Sequence, residues 1–252
     1  MTDMQDRLAL VTGASSGIGE AVARALHGSG CRLVLAARRR ERLEGLAAEL
    51  GDAQVVTLDV RDADAVAQAL EGLELDLVVA NAGLAYGTEP VQQGNTAEWS
   101  DVIDTNVKGV LHVARAALPG MLARGRGDFV TMGSVAGRQV YPGGAVYCAS
   151  KHAVRAIYES MRVDCAGSGV RFTTVDPGMV ETDFSLVRFR GDADKAAAVY
   201  AGVDALTPAD VADAVLYAVS RPANVNIGEI VMWASAQASA TSVTRRPAAP
   251  GA

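Results

Sequence analysis

The chain has 252 residues, is 50% hydrophobic and carries a formal net charge of -6 at pH 7. That balance suits a folded globular domain and excludes a disordered chain, and the negative charge provides no general attraction for nucleic acid or anionic lipid. No apolar run reaches the roughly 18 residues a membrane-spanning helix needs, and the opening MTDMQDRLALVTG lacks the basic region, long apolar core and cleavage site of a signal peptide.

Apolar, β-branched runs alternate with alanine-rich stretches of helical period. RLALVTG (7–13) reads as a buried strand, GIGEAVARALHGSG (17–30) as a helix, CRLVLAA (31–37) as a strand and RERLEGLAAELG (40–51) as a helix ended by glycine. A strand over 53–60 precedes a helix over 62–73, whose early aspartates suit the positive helix N-terminus. LDLVVANAG (75–83) is a fourth strand. Residues 96–125 are expected to form one long helix, distorted near Pro119. A strand over 127–134, a helix over 145–167 and a strand over 170–178 follow. Residues 207–222 carry a capping threonine, a proline at the first helical position and an aspartate in the first turn. VNIGEIVMW (225–233) is a last strand, and the Ala/Pro-rich residues 236–252 read as a flexible tail after a single domain over 1–235.

This alternation predicts an α/β domain with a doubly wound, parallel, seven-stranded sheet and helices on both faces. Ligands in such sheets bind beyond the carboxyl ends of the strands. Cys31, Cys148 and Cys165 are odd in number and show no Cys-x-x-Cys spacing, which fits a reducing, cytoplasmic setting. His27, His112 and His152 show no metal-ligand spacing, so no catalytic metal is expected.

The strand ends hold the chemistry. The first strand runs into Gly13, Ser15, Ser16, Gly17, Ile18 and Gly19, a glycine-rich turn that lets a diphosphate approach a helix N-terminus. The second ends at Arg38 and Arg39 where NAD-selective proteins place an acidic residue, so the basic pair points to the 2′-phosphate of NADP. Asp59, followed by Val60, faces two uses: accepting from an adenine amino group or capping the next helix. Asn81 and Gly83 end the fourth strand, Ser134 the fifth, and Pro177, Gly178, Val180 and Thr182 follow the sixth.

TGASSGIG, LDV, NAG, Asn106 in DTNVKG, Ser134, Tyr147-x-x-x-Lys151 and PG-x-V-x-T together resemble the short-chain dehydrogenase/reductase family, from about residue 7 to about 232. The resemblance implies a Rossmann fold, hydride transfer between nicotinamide and an alcohol/carbonyl pair, and a catalytic group of Asn106, Ser134, Tyr147 and Lys151. Tyrosine ordinarily titrates near pH ~10, and Lys151, one helical turn beyond Tyr147, is expected to favour its phenolate and to bond the nicotinamide ribose. Ser134 would hold the substrate oxygen, and Asn106 would hold a water linking Lys151 to solvent. The family usually shows Asn-Asn-Ala-Gly; Ala80 replaces the first asparagine here, which puts local stability in doubt more than activity.

Segments including NAGLAYGTEP (81–90), TDFSLVRFRGDADKA (182–196) and ANVNIGEI (223–230) resemble NADP-dependent 3-hydroxy acid dehydrogenases acting on serine, allo-threonine or 3-hydroxyisobutyrate-like compounds. The substrate loop, about 182–204, holds Arg188 and Arg190, either of which suits a substrate carboxylate. Two alternatives stand beside this reading. One is an aldehyde or ketone reductase of secondary metabolism, with GRQVYPGGAVY (137–147) shaping a larger pocket. The other is a non-catalytic NADP(H)-binding regulator. The two long helices predict a homotetramer, with a homodimer as the smaller alternative.

Overall fold

The protein is described by a computed structural model covering residues 3–246. Strands β1 (Leu8–Thr12), β2 (Arg32–Ala37), β3 (Gln54–Thr57), β4 (Leu77–Ala80), β5 (Gly127–Met132), β6 (Val170–Pro177) and β7 (Glu229–Met232) form one parallel sheet in the order β3-β2-β1-β4-β5-β6-β7. The central strands β4 and β5 are buried along their whole length, while the edge strands β3 and β7 are not. Continuous apolar runs therefore mark the strands covered on both faces.

Helices α1 (Gly17–Gly28), α2 (Arg40–Leu50), α3 (Ala63–Leu70), α4 (Thr96–Ile103), α5 (Gly109–Arg124), α6 (Ala145–Asp164), α7 (Phe184–Arg188), α8 (Ala193–Tyr200) and α9 (Pro208–Val219) complete the chain. Side chains on a strand alternate between faces. Val11, Leu33 and Leu77 join Leu26 and Val215 in one core, and Leu10, Val34 and Val78 join Met121, Phe129 and Tyr158 in the other. Each fully buried side chain of this size contributes roughly 1.5–3 kcal/mol over leaving it exposed. Ala80 sits in the second core, so the asparagine expected there is replaced by plain apolar packing.

Local signals set the helix ends. Asp62 caps α3 by accepting from the Asp64 and Ala65 amides. Thr207 and Asp210 close a reciprocal capping box on α9.

Three expectations need correction. The helix over 96–125 is two helices joined by a π-turn at Asp104–Lys108, and Pro119 lies inside α5. The cause is tertiary: the Asn106 side chain is drawn to the Leu84 backbone and to Ser150. The substrate loop expected over about 182–204 contains the helices α7 and α8, the latter capped by Asp192. Residues 236–246 are packed against the domain: buried Gln237 accepts from the Met179 amide at 2.9 Å, pairs antiparallel with Val243, and the Arg246 amide bonds the Gly202 carbonyl. The rest of the expected tail, 247–252, lies outside the described residues. Among those described, no helix is long and apolar enough to cross a membrane.

Candidate active site

In the sheet order β1 and β4 are neighbours although β2 and β3 lie between them in sequence, so the chain reverses its direction of winding there. Such a reversal opens a crevice at the carboxyl ends of the strands. A cleft of about 790 Å³ occupies it.

One end is built from the turn after β1. Gly13 and Gly17 take φ of 67° and 57°, which favour glycine. A Cβ on Gly19 would collide with the Gly13 carbonyl and with Asn81. Asn81 donates to the Thr12 carbonyl at 2.9 Å, and the Thr12 hydroxyl accepts from the Asn81 and Ala82 amides. Asn81 thus braces the turn from β4 while also lining the cleft. Ser16, at the N-cap of α1, makes no side-chain cap, so the first amides of α1 keep no side-chain acceptor from it. Arg39 donates to the Ser15 hydroxyl at 3.1 Å and to the Ser16 hydroxyl at 2.5 Å, and Arg38 lines the same mouth. Glycine cradle, helix N-terminus and guanidinium pair together suit a dinucleotide with an additional phosphate.

Of its two foreseen uses, Asp59 does not cap the next helix; Asp62 caps α3 instead. Arg61 chelates the Asp59 carboxylate, at 2.7 Å for the shortest bond, and holds it below the usual carboxylate range. Asp59, Val60, Gly83, Ile18, Pro177, Gly178, Val180 and Thr182 all line the cleft.

At the other end, Ser134 follows β5, donates to the Pro177 carbonyl at 3.4 Å and accepts from the Ala136 amide. Tyr147 and Lys151 share one face of α6, the ammonium 5.8 Å from the ring centre. Burial pushes the Tyr147 hydroxyl up to about 12, against the Arg188 charge and a hydrogen bond with Ser134. Burial pulls Lys151 down to about 8, with the Asp176 charge acting the other way. The Lys151 ammonium donates to the Met132 carbonyl at 2.8 Å. Arg188 is nearer the tyrosine: its guanidinium carbon lies 4.9 Å from the ring centre. The charge expected from Lys151 alone is therefore shared, and Arg188 is the principal cation facing Tyr147. Asn106 does not line the cleft; it lies buried behind Leu84, one residue past Gly83.

The two loop arginines separate. Arg190, at φ 55°, points away and is held by Glu98 at 2.6 Å and Glu89 at 2.8 Å. Arg188 turns into the cleft among Tyr141, Tyr147 and Phe184, donates to the Tyr141 hydroxyl at 2.8 Å, and has a buried Nε with no hydrogen-bond partner. The sequence places these arginines two residues apart, and only their partners distinguish them.

Four residues that the sequence does not single out also line the cleft: Tyr141, Phe184, and Gln237 and Thr241 from the strap formed by residues 236–246. Tyr141 falls within the 137–147 segment expected to shape the pocket. The strap, made of small polar residues, carries no local signal.

The family model for short chain dehydrogenase matches residues 7–192. The chain is 43% identical over 232 residues to the NADP-dependent 3-hydroxy acid dehydrogenase YdfG of Escherichia coli (strain K12), covering 89% of this chain and 94% of the relative. It is 42% identical over 248 residues to sulfoacetaldehyde reductase 2 of Chromohalobacter salexigens, covering 94% and 98%. The closed form of serine dehydrogenase complexed with NADP+ superposes with a TM-score of 0.91 at 41% identity, over 95% of this chain and 100% of that one.

Proposed function

Because the chain belongs to the short chain dehydrogenase family, we propose that it transfers a hydride between NADP(H) and the alcohol/carbonyl pair of a small 3-hydroxy acid. The observation that supports the substrate class is Arg188, whose buried Nε has no hydrogen-bond partner and whose guanidinium lies over the Tyr147 ring, as an anion anchor would. A guanidinium binds a carboxylate through parallel charge-assisted bonds. An acid whose carboxylate lies close to its hydroxyl carbon can then engage Arg188 and Tyr147 together.

The glycine turn and the N-terminus of α1 would hold the diphosphate, and Arg38 and Arg39 the 2′-phosphate. Bound there, the nicotinamide supplies the hydride acceptor or donor. Tyr147 moves the hydroxyl proton, as base in oxidation and as acid in reduction. Ser134 holds the substrate oxygen, and Lys151 bonds the ribose and stabilises the phenolate with Arg188. Asn106 fixes the Leu84 backbone and the π-turn behind Lys151, from which a water can reach the ammonium.

The test is NADPH formation with L-serine, L-allo-threonine, 3-hydroxyisobutyrate and 3-hydroxypropionate, offered NADP and, separately, NAD. Turnover with NADP and at least one of these acids supports the reading; tight NADPH binding without turnover on any of them rejects the substrate class. A second reading, reduction of a small anionic aldehyde, is favoured by the sulfoacetaldehyde reductase relative. It uses the same Arg188 anchor, and NADPH oxidation by sulfoacetaldehyde distinguishes it.

The same proposal includes a cytoplasmic homotetramer. Leu111 and Leu122 on α5 and Val163 on α6 are exposed apolar side chains that pairing of these helices would cover. A monomer at micromolar concentration by light scattering rejects the assembly.

A further inference from the structure

Tyr141 and Arg188 meet in the cleft from two separate segments of the chain. The Tyr141 hydroxyl accepts from Arg188 at 2.8 Å. The guanidinium carbon lies 5.8 Å from the centre of the Tyr141 ring, 4.9 Å from that of Tyr147 and 5.2 Å from that of Phe184. Glycines build the seat of the Tyr141 ring. Gly144, the N-cap of α6, bonds the Tyr141 carbonyl through its amide, and a Cβ there would collide with the ring. Gly143 takes φ 73°, and a Cβ there would collide with the Thr88 carbonyl. Beside Thr88, the Gly87 amide bonds the Arg188 carbonyl at 2.8 Å. One loop therefore braces the backbone behind both side chains, and the Tyr141 ring is seated on the helix that carries Tyr147.

We infer that Tyr141 is a specificity-determining residue: its hydroxyl fixes the reach of Arg188 over the Tyr147 ring and so sets how far a substrate's carboxylate can stand from its reacting hydroxyl. The inference deepens the proposed function and rests on reading Arg188 as the anion anchor. An untethered arginine keeps its rotamer freedom and can follow carboxylates of different reach. Tied to Tyr141 and set among three aromatic rings, this guanidinium keeps one position, with its buried Nε left without a hydrogen-bond partner. Burial pushes the Tyr141 hydroxyl up, with the Arg188 charge acting the other way. A neutral hydroxyl that accepts from Arg188 still carries its own proton, so a carboxylate gripped by the guanidinium meets a second donor. In a 3-hydroxy acid one carbon separates the carboxylate from the hydroxyl-bearing carbon; a 2-hydroxy acid has none there and a 4-hydroxy acid has two. A fixed anchor suits one of these spacings, because a misplacement of about 1 Å can cost on the order of 100-fold in rate.

Tyr141→Phe keeps the ring and removes the tether. The ratio of kcat/KM for 3-hydroxypropionate to that for 4-hydroxybutyrate, and to that for lactate, is expected to fall by about 10-fold, through a raised KM for 3-hydroxypropionate with kcat little changed. In the Arg188→Leu background the same substitution should leave both ratios unaltered, because it acts through that guanidinium. Ratios that stay put in the single variant, or losses that add in the double variant, overturn the proposal. NADPH affinity should not change; a loss of NADPH affinity as large as the loss in kcat/KM would make Tyr141 a support of the whole cleft and overturn it as well. Malonate, which cannot react, provides a readout without turnover: in fluorescence titration of the NADPH complex, Tyr141→Phe should bind it about 10-fold more weakly than the unmodified chain. Equal binding by both, or by neither, overturns the proposal. Failure of the unmodified chain to turn over any 3-hydroxy acid removes the functional reading instead, and the malonate titration then decides the role of Tyr141 alone.

Discussion

The guanidinium carbon of Arg188 lies 4.9 Å from the centre of the Tyr147 ring, while the neighbouring Arg190 is turned outward onto Glu98 and Glu89. One loop thus presents one arginine to the reacting groups and uses the other to fasten itself.

Arg188→Leu is expected to reduce kcat/KM for a 3-hydroxy acid by about 10- to 100-fold, the scale of one lost charge-assisted interaction of about 1.5–3 kcal/mol. Turnover of a neutral alcohol or ketone should change much less. Steady-state kinetics on both substrate types checks this, and equal losses would reject Arg188 as the anion anchor.

Arg190→Ala leaves the cleft chemistry in place but releases α7. Exposed ion pairs contribute about 0.2–1 kcal/mol each, so loss of two should raise KM by about fivefold with kcat little altered. The KM of the unmodified protein should also rise with salt, and that of the variant should not. Kinetics at low and high ionic strength separates the two.

The Tyr147 hydroxyl, pushed up to about 12 by burial, is protonated at neutral pH. NADPH-linked reduction, which needs the acid form, should proceed well near neutrality. NADP-linked oxidation needs the phenolate and should accelerate as the pH becomes alkaline, the positive charge of the oxidised nicotinamide lowering the threshold. Initial rates in both directions across pH provide the check.

Arg39→Ala should weaken NADPH binding by about 10- to 100-fold while leaving NADH binding nearly unchanged. Fluorescence titration with each nucleotide measures it. An equal loss for both would place Arg39 in maintenance of the glycine turn, through Ser15 and Ser16, instead of in recognition of the 2′-phosphate.

Lys151 has a stability consequence as well. Its folded value of about 8 lies below the ordinary 10.5, so the unfolded chain binds the proton more tightly and stability from this group rises with pH between the two. Lys151→Met removes that penalty. The cofactor-free variant should gain most over the unmodified chain below about pH 8, and the gain should vanish by about pH 10.5. Denaturant unfolding at several pH values tests the trend, while turnover is abolished.

Much of the architecture is legible in the residues. RLALVTG, CRLVLAA and LDLVVANAG read as strands because a parallel strand covered on both faces must be apolar throughout. TPADVADAV announces its own helix start, since Thr207 and Asp210 satisfy local amides. The π-turn is not legible: Asn106 leaves helical geometry because Leu84 and Ser150, distant in sequence, bind its side chain. The helices α7 and α8 are not legible either, because they are short and carry little periodicity. Residues 236–246 look like a flexible tail in sequence because alanine, serine and threonine give no pattern until Met179 and Gly202 meet them.

By itself the sequence determined the strand–helix rhythm, the glycine turn after β1, and the Tyr147–Lys151 spacing that one helical turn converts into a shared face. Those features depend on backbone preferences and contacts within a few residues. Only the tertiary structure decided which arginine enters the cleft and which carboxylate lies buried against the Gly133 backbone. Long side chains take their direction from partners elsewhere in the chain, here Glu89, Glu98 and Tyr141 for the loop and Arg138 for Asp176, and such charges meet only once the sheet has assembled.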